Sequence, residues 1–277
     1  LDNLKKAVSL SPNEPTVRFN LGTAYERKGM VSEAVEEYEN VLKINPEDTD
    51  ALERLGDLSL KNKKFLQAVK YYEKLAAKSA KNGAIYANLG FAYGELKKYA
   101  ASAENYERAI RYGMKNSNLH YNLACAYEKL GKEKKAITEY EKIYPPTKEA
   151  LSALGGYYIK EKKCAQAIKC YKKIVELEPK KASSYSGLGF AYASCNEWDA
   201  AIKNYRIALR LDHEDSELYE NMGEAYEKKG MIQEALKAYT SAYELNPESA
   251  KASQRIPKLK IQLLQKKAQK ETRSDEE

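Results

Sequence analysis

Hydrophobic positions recur along this chain on two scales. Locally, a leucine is followed four residues later by a tyrosine, the i,i+4 stripe of a helix with one apolar face. The stripe itself then returns: Leu21, Leu55, Leu89, Leu123, Leu154, Leu188 and Met222 are separated by 34, 34, 34, 31, 34 and 34 residues. Four residues after them stand Tyr25, Ser59, Tyr93, Tyr127, Tyr158, Tyr192 and Tyr226. Thirteen after come Ala34, Ala68, Ser102, Ala136, Ala167, Ala201 and Ala235, and four further on a tyrosine every time: Tyr38, Tyr72, Tyr106, Tyr140, Tyr171, Tyr205 and Tyr239. Two apolar stripes per period, separated by turn formers such as Lys28-Gly29, Leu130-Gly131 and Lys229-Gly230, predict two helices joined by a tight turn. Asn45-Pro46, Glu178-Pro179 and Asn246-Pro247 mark the ends of units. A period of this length is the signature of an array whose units cannot bury their apolar faces alone.

Small residues keep the same register. Gly22, Gly56, Gly90, Gly155, Gly189 and Gly223 follow the leucine or methionine directly, with Ala124 in the fourth unit. Together with the alanines they are expected where two backbones come close, and enlarging them should cost about 1–3 kcal/mol through overpacking. The tyrosine after each alanine is expected to fill the space at the next interface.

The units fall at residues 15–48, 49–82, 83–116, 117–147, 148–181, 182–215 and 216–249. Residues 1–14 read as the second helix of a preceding unit, with Ala7 and Pro12 in register, which implies further chain before Leu1. Residues 250–270 read as a capping helix with two apolar stripes, Ile256, Leu259 and Leu263 on one and Ile261, Leu264 and Ala268 on the other. Pro257 is expected to start or bend that helix, and residues 271–277 read as a disordered tail. The single 31-residue step comes from a shortened second helix at Pro145-Pro146, where a local kink is expected. Gly155-Gly156 just beyond it predicts an unusually close helix approach.

These positions together resemble the tetratricopeptide repeat family over residues 15–249. Ser59, Ala124, and Ala80, Met114 and His213 in place of the terminal proline are single departures. The resemblance implies an all-α fold, a right-handed superhelical solenoid of stacked antiparallel helix pairs whose first helices line a concave, ligand-binding groove. In that frame the residues just before the leucine, among them Asn20, Asn88, Asn122 and Asn221, face the groove. A row of asparagines resembles the ladder with which some members of the family hold a peptide backbone, since each amide both donates and accepts. Phe91, Tyr121, Cys125 and Phe190 make the groove centre aromatic and small, while Glu53, Asp57, Glu220 and Glu224 make its flanks acidic. The family's two-carboxylate clamp for chaperone tails needs basic residues over three consecutive repeats. Here Arg54 stands alone between acidic neighbours, so that reading is rejected.

Composition narrows the function class further. Of 277 residues 43% are hydrophobic, enough for an extensive core, and the 23 Tyr against 4 Phe and 1 Trp suggest many half-exposed ring positions. The net charge of +7 arises from 47 basic and 40 acidic residues that are interspersed, the pattern of solvated helix faces rather than of a nucleic-acid stripe. Basic excess gathers at Lys258, Lys260, Lys266, Lys267 and Lys270, and Asp275, Glu276 and Glu277 offset part of it. Cys125, Cys164, Cys170 and Cys195 show neither a CxxC pair nor metal spacing, so free thiols and a reducing compartment are expected. His120 and His213 have no catalytic partner at a recognisable spacing, and no phosphate loop, metal motif or nucleophile elbow occurs. No apolar run approaches membrane-span length. The reading is a non-catalytic, cofactor-free module that binds a protein or peptide. The alternative is an assembly scaffold that uses convex faces and the C-terminal helix, through which the chain could also self-associate; a nucleic-acid-binding solenoid is a third reading, which the acidic ends of the groove disfavour.

Overall fold

The computed structural model describes residues 1–274, and their side chains as far as residue 269. Within them lie sixteen helices and no strand. They form two compact units, Leu1–Pro145 and Pro146–Glu277, divided at the dipeptide where the period slips.

In the first unit α1 (Asp2–Leu10) precedes four helix pairs. These are α2 (Pro15–Arg27) with α3 (Val31–Ile44), α4 (Thr49–Lys61) with α5 (Phe65–Lys78), α6 (Gly83–Glu95) with α7 (Tyr99–Arg111), and α8 (Ser117–Lys129) with α9 (Glu133–Glu141). The second unit holds α10 (Lys148–Lys160) with α11 (Cys164–Leu177), α12 (Ala182–Ser194) with α13 (Trp198–Leu211), and α14 (Ser216–Lys228) with α15 (Ile232–Leu245). It ends in α16 (Ala250–Ser274). The first helix of a pair is 13 residues long throughout; α9, with nine, is the short second helix that the 31-residue step predicts. Asp48, Asn82, Asn116, Thr147 and Asp215 start their helices by accepting a hydrogen bond from a first-turn backbone N–H.

The core corrects the expectation of two backbones in contact. A Cβ placed on Gly22, Gly56, Gly90, Gly155, Gly189 or Gly223 would stand 2.6–3.1 Å from the ring of Tyr38, Tyr72, Tyr106, Tyr171, Tyr205 or Tyr239. Each ring therefore lies on the glycine of its own pair, and it also reaches the next interface: a Cβ on Gly187 would stand 3.0 Å from Tyr171, and Tyr38 clusters with Leu55 and Leu58. Ala34, Ala68, Ser102, Ala136, Ala167, Ala201 and Ala235, one turn before the ring, are at most 1% exposed. Ser102 can replace alanine because its hydroxyl donates to the Gly90 carbonyl at 2.7 Å. Tyr38, Tyr72, Tyr205 and Tyr239 are among the most buried side chains of the chain, so the tyrosine-rich composition does not mean half-exposed rings at this position.

Each turn inside a pair contains one left-handed residue, eight after the leucine or methionine. Glycine fills it at Gly29, Gly131 and Gly230, but Lys63, Lys97, Lys162 and Asn196 hold the same conformation with φ of 57–60°. Gly156, expected at a close approach, meets nothing within 4 Å. Pro257 sits inside α16 without ending it, and the helix runs on to Ser274, past the expected limit at 270. Residues 275–277 of the expected tail lie outside the described residues.

Two substitutions of the same chemistry should have opposite signs. Gly90→Ala forces a methyl group into the Tyr106 ring and should lower unfolding free energy by about 1–3 kcal/mol. Gly156→Ala fills open space in a helix interior and should raise it by about 0.5–1 kcal/mol. Chemical denaturation of the two variants checks this, and equal shifts would refute the ring-on-glycine account. Lys97→Gly and Lys162→Gly should each stabilise by about 0.5–1 kcal/mol, because only glycine adopts positive φ without a Cβ penalty. Melting temperatures below wild type would contradict that.

Candidate functional site

The buried tyrosines carry their hydroxyls towards the face of the first helices. Tyr38 donates to Glu26 at 2.9 Å with Thr23 at 3.2 Å, and Tyr239 donates to Glu227 at 2.8 Å. Tyr72 donates to Asp57 and accepts from the Asn88 amide of the next pair at 2.9 Å. Asn122 bonds Tyr106 in the same relation, and Tyr140 meets the Cys125 thiol at 3.5 Å. A buried phenol needs such partners, because leaving its hydroxyl unpaired is costly. Burial, aided in Tyr72 by the Asp57 carboxylate, holds these phenols well above their ordinary range.

Between the third and fourth repeats this arrangement borders an open pocket of about 180 Å³. Phe91, Tyr99, Tyr106, Asn122, Cys125 and Ala126 line it, with Glu95 and Lys129 also in its wall. Phe91 is 42% exposed and packs edge-on against Phe65, with ring centroids 6.1 Å apart. Asn88, half-buried, stands on the same helix as Phe91, three residues earlier. Tyr121 is half-buried and packs edge-on against Tyr140 at 5.8 Å. The structure therefore joins Phe91, Asn122 and Cys125 in one pocket and sets Asn88 and Tyr121 on the two helices that carry it. Asn20 is exposed, two repeats away on α2. Phe190, 50% exposed, and Asn221, half-buried, belong to the second unit.

Several groups have partners that the sequence pattern did not reveal. Of the acidic flanks, Asp57 is taken by Tyr72, Glu220 accepts from Ser249, and Glu224 pairs with Lys251 at 2.7 Å. That lysine bond lowers the Glu224 carboxyl below its ordinary value. His120 Nδ1 lies 2.7 Å from Glu139, whose other oxygen is held by Lys142 at 2.7 Å, a chain that fastens the short α9 to α8. Cys164 and Cys195 form a disulfide with Cα atoms 5.7 Å apart, so the free-thiol expectation holds only for Cys125 and Cys170. The signal was in the register rather than in local spacing. The two cysteines stand ten after one leucine and seven after the next, slots that hold Phe65 with Leu96 and Tyr99 with Leu130 elsewhere.

A second set of contacts staples consecutive repeats at another edge. The residue eighteen after one repeat's leucine meets the ring four after the next repeat's leucine or methionine. Tyr93 donates to Glu73, Tyr127 to Glu107, Arg206 donates to Tyr226 at 2.6 Å, and Lys172 lies 6.0 Å from the Tyr192 ring centroid. Where Ser59 lacks the ring, Tyr71 reaches Glu39 instead at 3.0 Å. Clefts of about 410–430 Å³ recur along these staples, lined by Glu107, Tyr127 and Lys135 in one repeat and by Asp199, Arg206 and Tyr226 in another. Their recurrence makes them features of the stacking. Among the described residues no group of three or more His, Cys, Asp or Glu is placed to hold a metal ion, and no helix is long and apolar enough to cross a membrane.

Stacked pairs with a ring-on-glycine core and polar first-helix faces define a helical repeat protein of the helix–turn–helix class. Profiles described as tetratricopeptide repeat match residues 19–83, 83–112, 105–138, 149–181 and 216–249, and one described as TPR repeat matches 191–230. The chain belongs to the tetratricopeptide repeat family. Among solved structures it is similar to the C-terminal part of a TPR repeat-containing protein from Cytophaga hutchinsonii, with TM-score 0.62, 20% identity, and coverage of 74% of this chain and 84% of that one. A tetratricopeptide repeat protein from Parabacteroides merdae gives TM-score 0.55 at 15% identity, covering 89% and 98%. MamA from AMB-1 gives 0.52 at 22% identity, covering 61% and 93%. These likenesses concern the fold alone. No curated protein matches by sequence. The fold is that of a protein-interaction scaffold, in general a non-catalytic one.

The tyrosine network predicts an alkaline limit to stability. Burial and the carboxylates of Glu39 and Glu73 raise Tyr71 and Tyr93 to about 12, from the ordinary value of 10.0. A folded-state value above the unfolded one means that the unfolded chain loses its proton first. The stabilisation is therefore complete below pH ~10 and declines as pH rises towards ~12 and beyond. Absorbance of tyrosinate against pH, followed with circular dichroism, should show these phenols ionising together with loss of helix. Ionisation of all 23 tyrosines near pH 10 in a folded chain would contradict it.

Proposed function

We propose that this chain is a non-catalytic module that binds an extended peptide or protein segment on the first-helix face of its first unit. The supporting observation is the pocket that joins the exposed Phe91 ring to Asn122 and Cys125. An exposed phenylalanine beside an open apolar pocket offers a ligand side chain a place to leave water, contributing about 1.5–3 kcal/mol for full burial. Asn88 and Asn122 are already oriented by Tyr72 and Tyr106, so each amide presents its remaining hydrogen-bonding groups without first losing rotamer freedom. Each bond to a peptide group would contribute about 0.5–1.5 kcal/mol net. A segment with one apolar anchor and two backbone amides held beside it fits this geometry. In the second unit, Phe190 is a further anchor of the same kind and Asn221 a further amide.

The test is selection of peptides from a displayed random library on the intact chain, followed by titration of an enriched peptide. Phe91→Ala should weaken binding at least tenfold, and Asn122→Ala about three- to tenfold, with folding unchanged by circular dichroism. If the selected peptides bind both variants like wild type, the pocket is not the site and the assembly-scaffold reading gains. Affinity for a random single-stranded oligonucleotide that falls steeply with salt would revive the nucleic-acid reading.

A further inference from the structure

The C-terminal helix is docked on one side and open on the other. Ala252, Ile256 and Leu259 of α16 pack into the core formed with α13, α14 and α15. Ser249 and Lys251 bind Glu220 and Glu224, while Arg255 lies 3.7 Å from Glu227, which fixes the start of the helix. At about 100° per residue, Ile261 stands opposite that docked stripe and Leu264 roughly 110° round from it, on the neighbouring flank. They are 55% and 66% exposed. Beyond Leu259 the helix continues for a further turn-after-turn stretch to Ser274, with Leu263 half-buried.

Charge decides what would cover it. Between Glu248 and Glu271 the sequence holds no acidic residue. Lys251 and Arg255 face the glutamates of α14, but Lys258, Lys260, Lys266 and Lys267 are exposed. Lys260 and Lys267 border the Ile261–Leu264 stripe on one side and Lys258 on the other, by the same rotation. Two copies laid stripe to stripe would bring lysine against lysine, which disfavours a second copy. An apolar stripe between basic rims matches an amphipathic helix with acidic rims.

We infer that the outer face of α16, centred on Ile261 and Leu264, is a docking surface for an acidic amphipathic helix of another protein. Every other first helix in the second unit packs against a second helix of its own pair. The incoming helix takes that place on α16, so the last pair is completed in trans. Ile261 and Leu264 supply the contact area, and the lysines select partners by pairing with glutamate or aspartate at the rims. This surface is independent of the Phe91 pocket and stands or falls separately from it.

The probe is a synthetic three-heptad helix with Ile and Leu on its seam and Glu along both rims, labelled for fluorescence anisotropy against the intact chain. Wild type should bind it at micromolar concentration, more weakly as salt rises. The Ile261→Asp, Leu264→Asp double variant should weaken binding at least tenfold with an unchanged melting temperature, since both side chains are solvent-exposed. The Lys258→Glu, Lys260→Glu, Lys267→Glu variant should lose the acidic probe and gain its Lys-rimmed counterpart. Absence of binding by wild type, or binding indifferent to both sets of substitutions, would overturn the inference. A concentration-dependent dimer in light scattering that the double variant abolishes would overturn it in favour of a second copy. Stronger binding to phosphatidylserine vesicles than to the probe would overturn it in favour of a lipid surface.

Discussion

A tyrosine ring lying on a glycine backbone organises every complete pair but the fourth. The ring fills the space that a Cβ would need, and the alanine one turn earlier lets the second helix come near enough for the ring to reach. Burying an aromatic ring is among the larger apolar contributions open to a single side chain, and here it is repeated with every pair. The same act creates a polar demand, because the hydroxyl cannot be left in a dry interior. Phenylalanine would satisfy the packing alone. Tyrosine obliges the first helix to supply an acceptor or donor, and Glu26, Asp57, Cys125 and Glu227 are the responses.

The chemistry of the exposed face follows from this obligation. Asn88 and Asn122 are held by phenols rooted in the core, so their orientation is inherited from packing rather than from surface contacts. Groups held this way lose little freedom when they meet a ligand, the property that makes a repeat surface suited to recognition. The fourth repeat shows the limits of the scheme. Ala124 replaces its glycine, α9 is short, and a His120–Glu139–Lys142 chain makes the connection that a longer helix would have made by packing.

The second unit ends in a helix held by polar contacts as well as by its apolar stripe. Glutamates on the first helix of the seventh repeat are met by Ser249, Lys251 and Arg255, and this neutralises acidity that would otherwise face solvent. Within the same unit, the Cys164–Cys195 bridge occupies a slot that holds Phe65 with Leu96 and Tyr99 with Leu130 in the first unit. Both are local replacements at fixed positions of the repeat, which leave the helix pairs around them unchanged.

The period, the two helices per unit, the family and the shortened fourth repeat were all legible in the sequence. Helix formation and amphipathic spacing are properties of residues three or four apart, and the period repeats those local signals many times. The candidate residues Phe91, Asn122 and Cys125 were legible as positions in the register, but not as one pocket with Tyr99 and Tyr106. What each glycine packs against, which carboxylate each phenol chooses and which cysteines pair depend on residues twelve to thirty-one apart, beyond the reach of a single helix's spacing. The partners of Glu220 and Glu224 were hidden for the same reason: Ser249 and Lys251, at the start of α16 and 27–29 residues on, fold back to pair with both. Periodicity states which residues share a face, and only the packed structure decides what that face meets.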